Sequence, residues 1–168
     1  MSLSESIIGV ITFTRNATLK LVTDLSDEQL CKQPAPKTNH PAWVLGHLLQ
    51  VDYAFLATIK GQTAPQFPVF IDDAWKATYG NKSEPVADKS KYKPKQFYID
   101  ELAKVRDQIY SRLKSMTPAE FDTPHPDPAR RERMPTIGAA ATFYGTWHEA
   151  YHAGQLSTWR RVLGLPPV

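Results

Sequence analysis

Cysteine occurs once, at Cys31. The chain therefore closes no internal disulfide and builds no cysteine metal cluster, and any metal site must rest on histidine and carboxylate. No run approaches the roughly 18 consecutive apolar residues of a membrane span. Residues 1–6 lack the basic start and apolar core of a secretory signal. These absences lead to the expectation of a soluble, cytoplasmic protein with no membrane partner. A strong excess of one charge is missing too: 20 Lys and Arg stand against 17 Asp and Glu, for a net charge of +3. With no recognition motif beside it, so small an excess argues against nucleic acid as a partner. Alternating β-branched runs bounded by hairpin turns are also absent, so no strand is expected.

What remains is an ordinary globular balance over 168 residues, 42% hydrophobic and 22% charged, enough for one domain over residues 1–168 with a core of its own. The 14 prolines gather mostly in two regions and punctuate long proline-free runs. Ser2 and Glu5 form a capping-box pattern that opens a helix to about Val22, carrying Leu3, Ile7, Val10 and Ile11 at helical spacing. Ser26 and Gln29 repeat the pattern in a short turn. A second long helix opens at Asn39 to Pro41 and runs through Trp43, Leu45, Leu48, Leu49, Val51 and Phe55 to Gly61. The third starts at Pro94 with the stripe Leu102, Val105, Ile109, Leu113, Met116. Thr117, Pro118 and Glu120 cap another short turn, and a last helix extends from about Pro135 to Leu163, stopped by Gly164 and Pro166. Two long connections separate these helices, residues 62–93, with a short helix at about Ile71 to Tyr79, and residues 122–134. The expected fold is all-α, a four-helix bundle with long crossover connections, an architecture that builds metal and cofactor sites from facing helices.

His148 and His152 lie four apart on the last helix, so both imidazoles face one side. The segment reads H-E-x-x-H, the zincin pattern in which the Glu is the general base. A zincin takes its third ligand downstream, and no His, Asp or Glu follows His152. A third ligand must therefore come from upstream. His47 is the best candidate, since it sits inside the apolar run Trp43 to Leu49, where a buried imidazole needs a partner. His40 and His125 stand beside prolines in cap or loop positions and are expected to be exposed. Against the metal site stands the plainer reading of helical histidines as surface or hydrogen-bonded core groups.

The last helix, His148-Glu149-Ala150-Tyr151-His152-Ala153-Gly154-Gln155 continuing to Trp159-Arg160-Arg161, resembles the C-terminal signature of the DinB/YfiT-like superfamily. Trp43-Val44-Leu45-Gly46-His47-Leu48 is similar to that family's G-H-L motif, and order, length and helix count agree over nearly the whole chain. The resemblance implies a four-helix bundle holding a divalent metal, often nickel or zinc, on three histidines that correspond to His47, His148 and His152. It implies a dimer and admits thiol-dependent S-transferases, with a low-molecular-weight thiol as co-substrate. Tyr151 stands where a histidine is common, and Glu149 follows the first ligand of the pair.

Three neutral imidazoles leave a divalent ion open to water, thiol or a small-molecule substrate. Gln155, on the face of both paired histidines, is expected to orient a ligand imidazole or a substrate, or else to face solvent. Glu149 either reaches the edge of the site as a base or faces solvent or a more distant position. Tyr144 shares the ligand face and either donates a hydrogen bond near the ion or packs in the core. Gly138, Gly145 and Gly154 suggest close helix approach, or room beside the metal at Gly145. Trp75 and Tyr79, with Lys82, Lys89, Lys91, Lys93 and Lys95, either cover the pocket and attract an anion or form a solvated loop, and Arg130, Arg131 and Arg133 carry the same two readings. The leading expectation is a metal-dependent thiol S-transferase or hydrolase. The contrasting one is a non-catalytic bundle whose histidine site is structural or vestigial and whose surface serves dimerisation or partner binding.

Overall fold

Ser2 opens the first helix as its spacing from Glu5 predicts. The Ser2 hydroxyl accepts the Glu5 N–H at 3.2 Å, and the Glu5 carboxylate accepts the Ser2 N–H at 2.6 Å, satisfying donors that a helix start leaves orphaned. The structure is a computed structural model describing residues 2–168. Helix α1 runs Leu3–Thr23, α2 Asp27–Leu30, α3 Pro41–Ile59 and α4 Asp73–Tyr79. Helices α5, Lys95–Ser115, and α6, Pro118–Asp122, follow. The chain then enters α7, Ile137–Thr142, a π-helical turn, Phe143–His148, and α8, Glu149–Val162, without a break in helical structure. Among the described residues no strand forms, and one isolated bridge joins Pro124 to Thr136. The fold is all-α, a bundle built on α1, α3, α5 and the rod α7–α8.

Contacts between named residues set the helix directions. Ile11 faces Gly145, Arg15 meets Glu149 and Asp24 meets Arg160, so α1 and the rod run parallel. Asp52 pairs with Arg106 and the Ile59 carbonyl with Arg112, so α3 and α5 run parallel as well. Thr12 meets Tyr110 while Lys95 reaches the Thr23 carbonyl, which makes α5 antiparallel to α1. The connection between α3 and α5 must therefore travel the length of the bundle, and the one after α5 joins antiparallel neighbours.

The expected stripes meet in the core, with Ile7, Ile11 and Val22 from α1, Leu45, Leu48 and Phe55 from α3, and Leu102, Val105, Ile109 and Leu113 from α5. Each such side chain contributes roughly 1.5–3 kcal/mol on burial. Helix α3 is apolar on almost every side and long enough to cross a bilayer, yet 78% of its apolar window is buried inside the protein, as befits a central core helix. Its N-cap is His40 rather than Asn39: the His40 Nδ1 accepts the Trp43 N–H at 3.3 Å, and Pro41 takes the first turn.

Trp75 and Tyr79 are core residues, which corrects their expected place over the pocket. Both are buried, with Trp75 4.3 Å from Tyr79 between ring centroids and Tyr79 sharing a 2.6 Å hydrogen bond with the Tyr98 hydroxyl. The lysines of that connection lie on the surface, Lys89 pairing with Glu28, and half-buried Lys95, at the start of α5, caps the end of α1 through its Nζ on the Thr23 carbonyl at 2.7 Å. Gly145 allows close approach of α1, since a Cβ there would stand 2.7 Å from Ile11 Cγ1, and Gly138 similarly faces the Phe121 carbonyl at 3.0 Å. Gly154 has nothing within 4 Å and serves no close approach.

Candidate metal centre

His47 enters from the middle of α3, where its ring stacks on Trp43 at 4.8 Å with 7° between planes. Its Nδ1 donates to the Tyr79 carbonyl at 2.8 Å, which leaves the lone pair on Nε2. Gly46 makes this possible, because a Cβ there would stand 2.2 Å from the Tyr79 ring. His148 closes the π-helical turn, a wide turn that often marks a functional position. His152 follows one α-turn later in α8, and its Nδ1 donates to Gln155 Oε1 at 2.9 Å. That oxygen also accepts from Asn39 Nδ2 at 3.1 Å, so the Asn39–Gln155 pair fixes the His152 ring from outside.

The three rings converge. Ring centroids are 5.3 Å apart for His47–His148, 4.9 Å for His47–His152 and 4.8 Å for His148–His152. One ligand atom from each lies within 4.8 Å of the others. Burial pushes His148 down to about 3, helped by His152 and His47, and pushes His152 down to about 4. Burial lowers His47 as well. At neutral pH all three are uncharged, the form in which imidazole binds metal.

The donor set fits a divalent ion. The His47 and His148 Nε2 atoms stand 3.3 Å apart, and two imidazoles bound at about 2.0–2.1 Å to one tetrahedral ion would stand about 3.3–3.4 Å apart. Tyr79 and Gln155 hold the protons of His47 and His152 on Nδ1, so their Nε2 lone pairs are free for the ion. Among the described residues no fourth His, Cys, Asp or Glu joins the group. A cavity of about 670 Å³ opens above it, lined among others by Trp43, Tyr144, Trp147, Tyr151 and Gln155.

Glu149 neither reaches the cavity nor faces solvent; it lies behind the site, in the bundle interior. It is 2% exposed, and its carboxylate accepts from Arg15 Nε at 2.6 Å and from Arg106 Nη2 at 2.9 Å. Asp52 completes the cluster, 2.9 Å from each guanidinium. The partners come from α1, α3 and α5, so Glu149 is committed to the bundle interior and offers no base to the cavity. Tyr144 lines the cavity, but its hydroxyl accepts from Arg130 Nη1 at 2.7 Å and bonds to none of the three histidines. His40 and His125 are buried, correcting the expected exposure. His40 is held by its cap bond and by the Val86 carbonyl, and His125 Nδ1 accepts the Asp127 N–H at 3.1 Å.

Asn39, Trp43 and the four-charge cluster were not anticipated. Arg15, Asp52 and Arg106 fall on the core stripes, Arg15 four after Ile11, Asp52 four after Leu48 and Arg106 three before Ile109. A charge on an apolar stripe was the signal for a buried network.

The sequence profile of the DinB superfamily matches residues 11–156, a span that includes all three histidines. The chain belongs to the DinB superfamily. The fold is also similar to the crystal structure of a conserved protein from Enterococcus faecalis, with a TM-score of 0.73, 13% identity, and coverage of 98% of this chain and 99% of that one. No curated protein matches the chain. Within this DinB-superfamily bundle the arginine near the helix end is structural: Arg160 is buried and holds Asp24 at 2.6 Å and the Leu21 carbonyl at 3.0 Å, locking α8 to α1.

Proposed function

We propose that this protein is a divalent-metal enzyme that acts on a small molecule in the cavity above His47, His148 and His152. Nickel or zinc suits three imidazoles. The observation that carries the reading is the convergence of three neutral imidazoles, two with Nε2 lone pairs set by Tyr79 and Gln155, at a cavity of about 670 Å³. A bound ion would acidify water to a pKa of about 7 or ionise a coordinated thiol outright.

Between thiol S-transfer and hydrolysis, the cavity favours the thiol branch. Metal-assisted hydrolysis commonly uses a carboxylate to take the proton of the attacking water, and no Asp or Glu lines the cavity, Glu149 being held by Arg15 and Arg106. The volume admits a low-molecular-weight thiol beside a second small molecule. Trp43 holds the His47 plane, and the Asn39–Gln155 pair holds His152, so two of the three donors stand in place before anything binds. A cytoplasmic location and a homodimer belong to the same proposal. A purely structural metal site is disfavoured by the open side of the three-histidine group.

Cobalt substitution tests this. Cobalt-loaded, tag-free protein titrated with L-cysteine should develop a thiolate-to-metal charge-transfer band that His148→Ala lacks. Cobalt bound with no spectral response to thiol would contradict the thiol branch.

A further inference from the structure

The cavity above the histidines is charged in one sense only: Arg130 and Arg133 line it, and no Asp or Glu does. Arg130 is held at the edge by the Tyr144 hydroxyl at 2.7 Å and by Asp127 at 3.2 Å. Arg133 has no carboxylate within ion-pair distance among the described residues. Its guanidinium instead lies 4.6 Å from the Phe143 ring centroid and 5.9 Å from that of Trp147. The Phe143 ring is in turn 6.1 Å from that of His148, so this cation stands one ring away from the metal-binding group.

Aromatic rings extend from Arg133 as a ladder. Phe143 stacks on Trp147 at 5.1 Å and Trp147 on Tyr151 at 5.3 Å. Trp147 and Tyr151 remain 50% and 51% exposed. Contiguous exposed aromatic surface beside a cavity marks a place where something docks. Gln50 also lines the cavity, and its Oε1 is buried without a hydrogen-bond partner. A buried acceptor left unpaired in a protein calls for a donor from elsewhere.

We propose that this cavity selects a small planar organic oxyanion, a carboxylate or phosphate ester, that also carries an O–H or N–H donor. The inference rests on the reading of the three-histidine cavity as a small-molecule site. Arg133 pairs with the oxyanion, a role the planar guanidinium suits for carboxylate and phosphate alike. The Trp147–Tyr151 face stacks on the flat body, and Gln50 Oε1 accepts from the donor. The neutral histidines contribute no opposing charge, and a divalent ion adds to the attraction.

The test is calorimetric titration of tag-free protein, metal-free and zinc-loaded, with 4-hydroxybenzoate, 4-hydroxyphenyl phosphate, benzoate and the neutral isostere 4-hydroxybenzamide. At least one of 4-hydroxybenzoate and 4-hydroxyphenyl phosphate should bind ten times or more tighter than the amide. Benzoate, which has no donor for Gln50, should bind several-fold more weakly than 4-hydroxybenzoate. Arg133→Met should lower anion affinity at least tenfold and Arg133→Lys restore part of it, with helix content unchanged because Arg133 is an exposed loop residue. Equal binding of acid and amide, no binding of any probe, or affinity indifferent to Arg133→Met would overturn the proposal. Zinc content of the same samples separates the two readings. Zinc bound without charge discrimination removes this inference alone, whereas arginine-dependent discrimination without zinc binding removes the metal reading and leaves the anion site.

Discussion

Arg15 donates from Nε to Glu149 Oε1 at 2.6 Å, with both side chains buried between α1 and α8. Arg106 and Asp52 close the cluster, so each of the four long helical segments of the bundle supplies one charge. Glu149 follows His148 and Asp52 lies five residues after His47, so the same ion pairs register the helices that carry the histidines. Breaking a buried pair from one side costs about 3–5 kcal/mol, because the remaining charge loses its partner. Glu149→Ala should therefore destabilise the fold by about that much in urea unfolding followed by circular dichroism. A loss below about 1 kcal/mol would show that Arg15 and Arg106 do not depend on Glu149.

Acid should weaken the protein through His40. Burial pushes its imidazole down to about 4, even though its ring contacts the Val86 carbonyl, from an ordinary value of 6.5. The Nδ1 lone pair that accepts the Trp43 N–H is also the one a second proton would take. Between these two values the unfolded chain binds more protons than the fold. The contribution of neutral His40 is thus complete above about pH 6.5 and is lost as pH falls toward about 4, on the order of 3 kcal/mol. His40→Asn keeps a cap acceptor and removes the titration, so its stability should fall less than that of the wild type over that window. Parallel curves would contradict the assignment.

Gln155 accepts the His152 Nδ1–H at 2.9 Å, so in the proposed metal centre it would act on the ion through His152. Loss of a partner that orients a ligand imidazole typically lowers metal affinity about 10–100-fold. Gln155→Ala should show that loss in competition with a chromophoric zinc chelator, while Gln155→Glu, which keeps an acceptor for His152 Nδ1, should retain most of the affinity. Unchanged affinity in Gln155→Ala would show that Gln155 does not orient His152 for metal.

Two glycines of the last rod should respond to alanine in opposite directions. At Gly145 an added Cβ would stand 2.7 Å from Ile11 Cγ1, so Gly145→Ala should cost about 1–3 kcal/mol through overpacking. At Gly154 nothing lies within 4 Å, and Gly154→Ala should stabilise by about 1 kcal/mol through helix propensity. Thermal melts of the two variants read both signs, and a stabilised Gly145→Ala would contradict the close packing of α1 on the π-helical turn.

The bundle was readable from local chemistry. The pattern pairs Ser2/Glu5 and Ser26/Gln29 both form their reciprocal bonds, and the stripe from Leu102 to Leu113 is buried as its spacing requires. The convergence of His47, His148 and His152 was also readable, two from their spacing and one from its apolar surroundings. Glu149 was not, because regular helical geometry says only where it points relative to His148. Its partners Arg15 and Arg106 lie 134 and 43 residues away in sequence. The π-helical turn before it carries no sequence marker beyond Gly145, whose role is set by Ile11 on another helix. Trp75 and Tyr79 were misplaced for the same reason: their aromatic partners Phe97 and Tyr98 belong to α5, across a long connection.

The three-histidine centre is tested most directly by elemental analysis of tag-free protein beside His47→Ala and His148→Ala. About one divalent metal per chain is expected in the wild type and its loss in both variants, with the helical circular dichroism retained. Wild-type protein that holds no metal after reconstitution with nickel, zinc or manganese would contradict it.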